Sequence, residues 1–435
     1  MTALELAAAR RVLLLLTATR WLPVGLTVAI VLLRPLEQGL TVTQVLTVSA
    51  VGGVVTVVLE LPTSGFADAF GRRAVLVAAA TANVLAAVLF VLADSWADFV
   101  SAAVLVGIFR ALDSGPLEAW YVDTVHAHRP GADVDQELSA AGTVIGVSIA
   151  LGALVSGLLV WWAGLDEALD GSPLTLPLAL AAALGALHLA AVVALLREPP
   201  RSATGTRATR LLAGVRAVPA VVGGGLAVVR RSRALRGLLL AEAALSVAMV
   251  GFESMVPLRL AELLGSTDEA GALMGVTAAV GWAVFAGGAA LGGRLSRLLG
   301  VARAAGLTHV LVGLGVVLIG LATGPVGLLV GYLAAYGVFG GVGPLHSSLV
   351  HREADASNRA TVMSLGSLIS FAVFAVAAPT AGLVTDTVSS GVAVLGLGAL
   401  CLLGALAYRP ARAAEVSRAE AASLTGRPTD HATGR

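Results

Sequence analysis

Twelve apolar stretches follow one another along this chain, at 12–33, 44–66, 74–93, 99–121, 139–162, 173–196, 237–258, 270–291, 301–321, 326–349, 361–384 and 389–408. A helix of about 20 such residues, rising 1.5 Å per residue, crosses the ~30 Å of hydrocarbon in a bilayer. Charge is correspondingly scarce: 13% of the 435 residues, against roughly 25% in soluble domains, with a mean hydropathy of +0.90. Lipid is therefore the expected solvent, and an all-α integral membrane fold of twelve transmembrane helices is the expected architecture. The first stretch is long and closely followed by others, so it reads as a span and not as a cleaved signal peptide.

One long interruption, 197–236, divides the spans six and six. The expected organisation is a six-helix bundle over 1–196, a linker over 197–236, a second six-helix bundle over 237–408 and a disordered tail over 409–435. In the linker, arginines alternate with leucine and valine, which suits either an amphipathic helix on the membrane surface or a solvated connection. Arginine placement sets the orientation. With both termini cytoplasmic, Arg34 and Arg259 alone fall outside and Arg20 and Arg110 alone fall within spans. The excess of arginine inside survives removal of the linker and tail, where the positive-inside rule is weak.

Composition also removes whole classes of chemistry. All 28 basic residues are arginine, so no lysine exists to hold a Walker A phosphate or form a Schiff base. With alanine, glycine, valine and leucine dominant, this bias points to a GC-rich bacterial genome and hence to the inner (plasma) membrane. A net charge of +1 gives no basic surface for nucleic acid, and Cys401 alone forms no intrachain disulfide. No cluster of Cys and His has metal-ligand spacing, and no nucleophile elbow or phosphate loop is visible. Neither an enzyme nor a cofactor is expected.

The turn between the second and third spans reads LPTSGFADAFGRRAVL over 61–76. Its Asp68, Gly71, Arg72 and Arg73 form D-x-x-G-R-R, which resembles the signature loop of the major facilitator superfamily, G-x-x-x-D-R-x-G-R-R, in sequence and in loop number. Two positions depart: Ser64 replaces the first glycine and Ala69 the first arginine. A degenerate echo, GRLSRLLGVAR at 293–303, keeps Gly293, Arg297, Gly300 and Arg303 between the eighth and ninth spans, as a repeat of the halves requires. The fourth span carries IFRALDSGPLEAWYVD (108–123), similar to bacterial permeases of the drug-exporter branch, and NRATVMSLGSL (358–368) has the same character. The fifth has Gly146, Gly152 and Gly157 without the Gly-Pro pair of antiporters. The resemblance implies two pseudo-symmetric bundles rocking about a central cavity. It also implies a latch, in which Asp68 meets the start of the eleventh helix and Arg72 or Arg73 pairs with Asp123.

Charges inside lipid cost at least ~2.5–3.5 kcal/mol, so they are functional candidates by default. These are Arg20, Glu60, Arg110, Asp113, Glu118, Glu242 and Glu253. Arg110 and Asp113, three apart, would share a helix face and could form a static pair. Glu60, Glu118 and Glu242 sit near span ends and could reach water. Arg20 lies on a first helix that lines the cavity in the superfamily. His188 and His346 read as neutral core histidines. Acids outnumber bases here, and an unpaired carboxylate is a natural proton carrier, so protons are the favoured driver. Proton-coupled efflux of an amphipathic, even cationic, small molecule is the leading expectation for what would be a monomer in the lipid bilayer. Uptake of a nutrient or metal chelate and a non-transporting sensor on the same scaffold are the alternatives.

Overall fold

Spans without a polar face leave the backbone only one way to satisfy its N–H and C=O groups in hydrocarbon, which is to bond within the segment. The computed structural model of the chain describes residues 3–162, 171–198, 223–354 and 358–424, and all regular structure among them is helical. Twelve helices are long and apolar enough to cross a membrane. In the first half these are α1 (Leu6–Glu37), α2 (Val42–Glu60), α3 (Arg72–Leu92), α4 (Trp96–His126), α5 (Asp135–Trp161) and α6 (Thr175–Leu195). The second half holds α7 (Arg233–Leu264), α8 (Thr267–Leu299), α9 (Val301–Leu321), α10 (Pro325–Glu353), α11 (Thr361–Thr387) and α12 (Ser390–Arg418). Both termini therefore lie on one side, here called the terminal side. Three of the helices starting on the far side open with serine caps: Ser95 on α4, Ser266 on α8 and Ser389 on α12 each accept a backbone N–H.

The halves meet along two helix pairs, α2 with α11 and α5 with α8. Gly157 and Gly275 bring α5 and α8 so close that a Cβ on either would overlap the other's backbone. One apolar core joins both halves toward the far side, running from Ile30, Leu46 and Phe99 to Phe252, Met274 and Val394. Toward the terminal side the cores are separate, one around Leu13, Trp120 and Val192 and another around Leu238, Ala304 and Leu349. The molecule is thus sealed at its far end and parted at its terminal end.

Two helices depart from regularity. α4 breaks after Leu112: Asp113 ends one segment, Gly115 takes φ 89°, and Pro116 starts the next. α7 contains a π-helical turn over Val250–Ser254, a wide turn frequent at functional sites. The tail differs from the expectation of disorder, for residues Arg409–Leu424 are helical. Glu415 holds this helix down by accepting from Val301 N–H and Ala302 N–H and by pairing with Arg352. Of the linker, 223–231 is helical, while 199–222, where the amphipathic segment was expected, lies outside the described residues.

Candidate functional site

The far-side seal is polar as well as apolar. Asp386, in the last turn of α11, accepts from Val42 N–H (3.1 Å), Thr43 N–H (2.9 Å) and the Thr43 hydroxyl (2.6 Å) at the start of α2. A carboxylate from one half thus caps a helix N-terminus of the other, where free N–H groups favour an anion. Arg259 is 9% exposed and donates to the carbonyls of Ile319, Gly320 and Ala322, closing the C-terminus of α9. Arg34 is 3% exposed and pairs with Glu37 at 2.7 Å. The two arginines that sequence placed on the far side are therefore built into the protein and not free loop charges. A depression of about 600 Å³ remains there, lined by Leu36 and Val42 of one half and Met255 and Glu262 of the other.

Sequence reasoning put Asp113 with Arg110; the structure puts it with Arg20. Asp113 is the C-cap of the first α4 segment, and its carboxylate meets α1 of the same half. Asp113 is buried, and the Arg20 guanidinium lies 4.2 Å from the Trp21 ring centroid and 5.6 Å from that of Phe109. Glu118 sits close enough to act on Arg20 electrostatically. Below the break, the Ser114 hydroxyl approaches Glu60 of α2 at 3.5 Å. His188 is buried and shares a 2.9 Å hydrogen bond with Thr19, as a core histidine should. Arg110 is exposed.

Glu253 of α7 lies close enough to interact electrostatically with Arg110. Within the π-turn Glu253 is exposed, while Phe252 and Ser254 on either side are buried. Tyr332 and Tyr336 of α10 face it. Behind them Phe252, Trp282, Phe285 and Phe339 pack around Tyr336 with ring centroids 5.2–6.5 Å apart. Trp282 reaches the first half, lying within contact of the Gly146 position on α5. A guanidinium wall thus confronts a carboxylate set in aromatic rings.

On the terminal side, α2 stays helical to Phe70 and the chain turns at Gly71, with φ 103°. The matching turn between α8 and α9 is Gly300, with φ 83°. Both are conformations that side-chain-bearing residues rarely adopt. Arg72 pairs with Asp123 at 2.7 Å, and Arg73 donates to Val193 O at 2.6 Å. The side chain of Asp68 lies outside the described residues. One repeated feature escaped the sequence reading. Just after α6, Glu198 accepts from Arg73 N–H, and in the tail of α12, Glu415 accepts from Val301 N–H, so each half caps its third helix with an acid of its sixth. The signal was present as an acid directly after each sixth span. Asp386 was missed too, because nothing marks an acid near a span end as a partner of α2.

Glu242, facing the terminal-side part of the second half, lies 3.6 Å from Nε2 of His346. That histidine is not an isolated core residue, since its Nδ1 shares a 3.1 Å hydrogen bond with the Tyr408 hydroxyl.

The sequence model of the Major Facilitator Superfamily matches residues 13–371. A search of curated proteins finds no matching sequence. Among solved structures, the nucleoside transporter NupG superposes with a TM-score of 0.69 at 12% identity, covering 93% of this chain and 98% of that one. A POT family transporter in complex with 5-aminolevulinic acid gives 0.66 at 16% identity over 92% and 94%. A proton-dependent oligopeptide transporter gives 0.67 at 14% over 94% and 99%. Identities this low establish a shared fold.

Proposed function

We propose that this chain, which belongs to the major facilitator superfamily, is a proton-coupled secondary transporter that exports an amphipathic small molecule by alternating access. The observation that carries the reading is the asymmetry of the interface: one core shared at the far end, separate cores at the terminal end, and Arg110 opposite Glu253 in between. That arrangement suits one of the two states between which rocking halves would alternate. We take the terminal side as the cytoplasm of a bacterial cell. Arginine bias supports this, because Arg34 and Arg259, the two apparent exceptions, are satisfied inside the protein.

The aromatic cluster around Tyr336 offers apolar surface and ring faces, and Glu253 offers an anion, a combination that suits an amphipathic cation. The absence of lysine leaves no ATP loop of its own, so a gradient supplies the energy. The resemblance of residues 114–123 to drug exporters supports export over uptake. In the signature turn, Gly71 shapes the turn, Arg72 and Asp123 brace α3 against α4, Arg73 is tied to α6, and Asp68 serves as the latch to the N-terminus of α11 in the opposite state. Loss of the latch would then slow cycling more than it weakens substrate binding.

The test is accumulation of a panel of cationic, zwitterionic and neutral amphiphiles in cells with the gene deleted and restored. Restoration should lower accumulation of amphipathic cations. Raised accumulation of any compound on restoration would reverse the direction, and no effect with any compound, in cells that make the protein, would favour a sensor.

A further inference from the structure

We infer that Glu242 and His346 form a proton-binding site of the second half, separate from Glu253. The inference rests on the proton-coupled reading and assigns the proton a place.

Glu242 projects from α7 and His346 from α10, and Oε2 and Nε2 are 3.6 Å apart. The distance is beyond a good hydrogen bond but short enough for an ion pair. His346 Nε2 is shielded from solvent and has no hydrogen-bond partner. Its other nitrogen is committed to Tyr408, whose ring is 3% exposed. A buried ring nitrogen without a partner is costly, and here it faces a carboxylate. One proton placed between them satisfies both groups, either as an imidazolium beside a carboxylate or as a carboxylic acid donating to imidazole. No other bond forms or breaks. The side chains are 27% and 12% exposed, so water can deliver the proton.

The groups facing the pair come from every neighbouring helix. α12 contributes Tyr408, and α9 contributes His309, whose ring packs against Tyr408 and whose Nε2 meets Cys401 O at 3.0 Å. α11 contributes Gly366, where any Cβ would overlap the Glu242 carboxylate. Among the described residues, no arginine pairs with Glu242, so its charge is open to neutralisation by a proton. Position supplies the consequence. Glu242 presses on α11, and the far end of α11 carries Asp386, which holds α2 of the other half. A change of charge at the pair is therefore applied to a helix that spans the seal.

The test uses the full chain in nanodiscs with spin labels at Asp94→Cys and Val388→Cys, exposed positions on the far side of either half, and Cys401 left in its buried place. The distance distribution is measured between pH 5 and 9. The wild type should change the ratio of its sealed and open populations by about tenfold, the scale of one proton held preferentially by one state. E242Q and H346Q should each flatten that dependence to less than about twofold, and Y408F should reduce it. R129Q, at an exposed arginine outside both sites, should retain it. A wild type without pH dependence, or E242Q and H346Q both behaving as wild type, would overturn the site. If site-dependent pH switching is found but export ignores the proton gradient, the site stands and the coupling reading fails. If export is proton-coupled and both variants keep it, the reverse holds.

Discussion

The two halves of this molecule partner several of their acids differently. The first half matches them with arginine: Asp113 with Arg20, Asp123 with Arg72. The second surrounds them with tyrosine and histidine: Glu253 with Tyr332 and Tyr336, Glu242 with His346 and Tyr408. Arginine stays protonated at any physiological pH, so its pairs are fixed in charge. Histidine and carboxylate partners can gain or lose a proton, so their charge is conditional. The comparison teaches that two bundles of one fold can place fixed and conditional charge pairs differently, the second half keeping its fixed pair, Arg352 with Glu415, at the terminal end.

The strongest way to break this division is at Asp113. Removing one member of a buried pair strands a charge at a cost of about 3–5 kcal/mol, so D113A should markedly lower the thermal midpoint of the detergent-purified protein. D113A combined with R20A should recover part of it. An unchanged midpoint for D113A would mean that this fixed pair does not hold the first half together. Next is E253Q, which leaves shape intact and removes only the charge. We expect export to fall about tenfold, an effect of about 1.4 kcal/mol, with the protein's thermal midpoint unchanged; a stability loss instead would give Glu253 a structural role. D386A should cost roughly a helix cap, about 1 kcal/mol, and shift the far-side distance distribution toward the open state about fivefold. An unaltered distribution would show that the apolar core seals the far side alone. The smallest effect belongs to R72A: a half-exposed pair contributes about 0–1 kcal/mol. Its maximal export rate should drop no more than about fivefold, and the concentration giving half-maximal export should not move.

Much of the fold was legible in sequence. Span length follows from the thickness of lipid, and among the described residues twelve helices appear where apolar runs required them, while the turn at Gly71 stood out through its resemblance to a family signature. What escaped depends on local breaks and distant partners. Spacing along one helix pointed Asp113 to Arg110, whereas its partner, Arg20, lies on another helix. His346 looked like a core histidine because its partners, Glu242 and Tyr408, are separated from it by 104 and 62 positions. The tail looked disordered by composition, yet one acid, Glu415, docks it on α9 and Arg352. Periodicity reports on lipid, whereas pairing between helices is a tertiary fact.

The central claim is that protons drive transport through the second half. The most direct measurement is proton movement in proteoliposomes loaded with a pH-sensitive dye, on addition of an exported compound from the panel, for wild type, R110Q, E242Q and E253Q. The account predicts proton flux with wild type, loss of that flux but persistence of compound exchange with E242Q and E253Q, and flux per exported molecule unchanged in R110Q. Proton flux that is absent in wild type, or that survives both second-half substitutions, would contradict it.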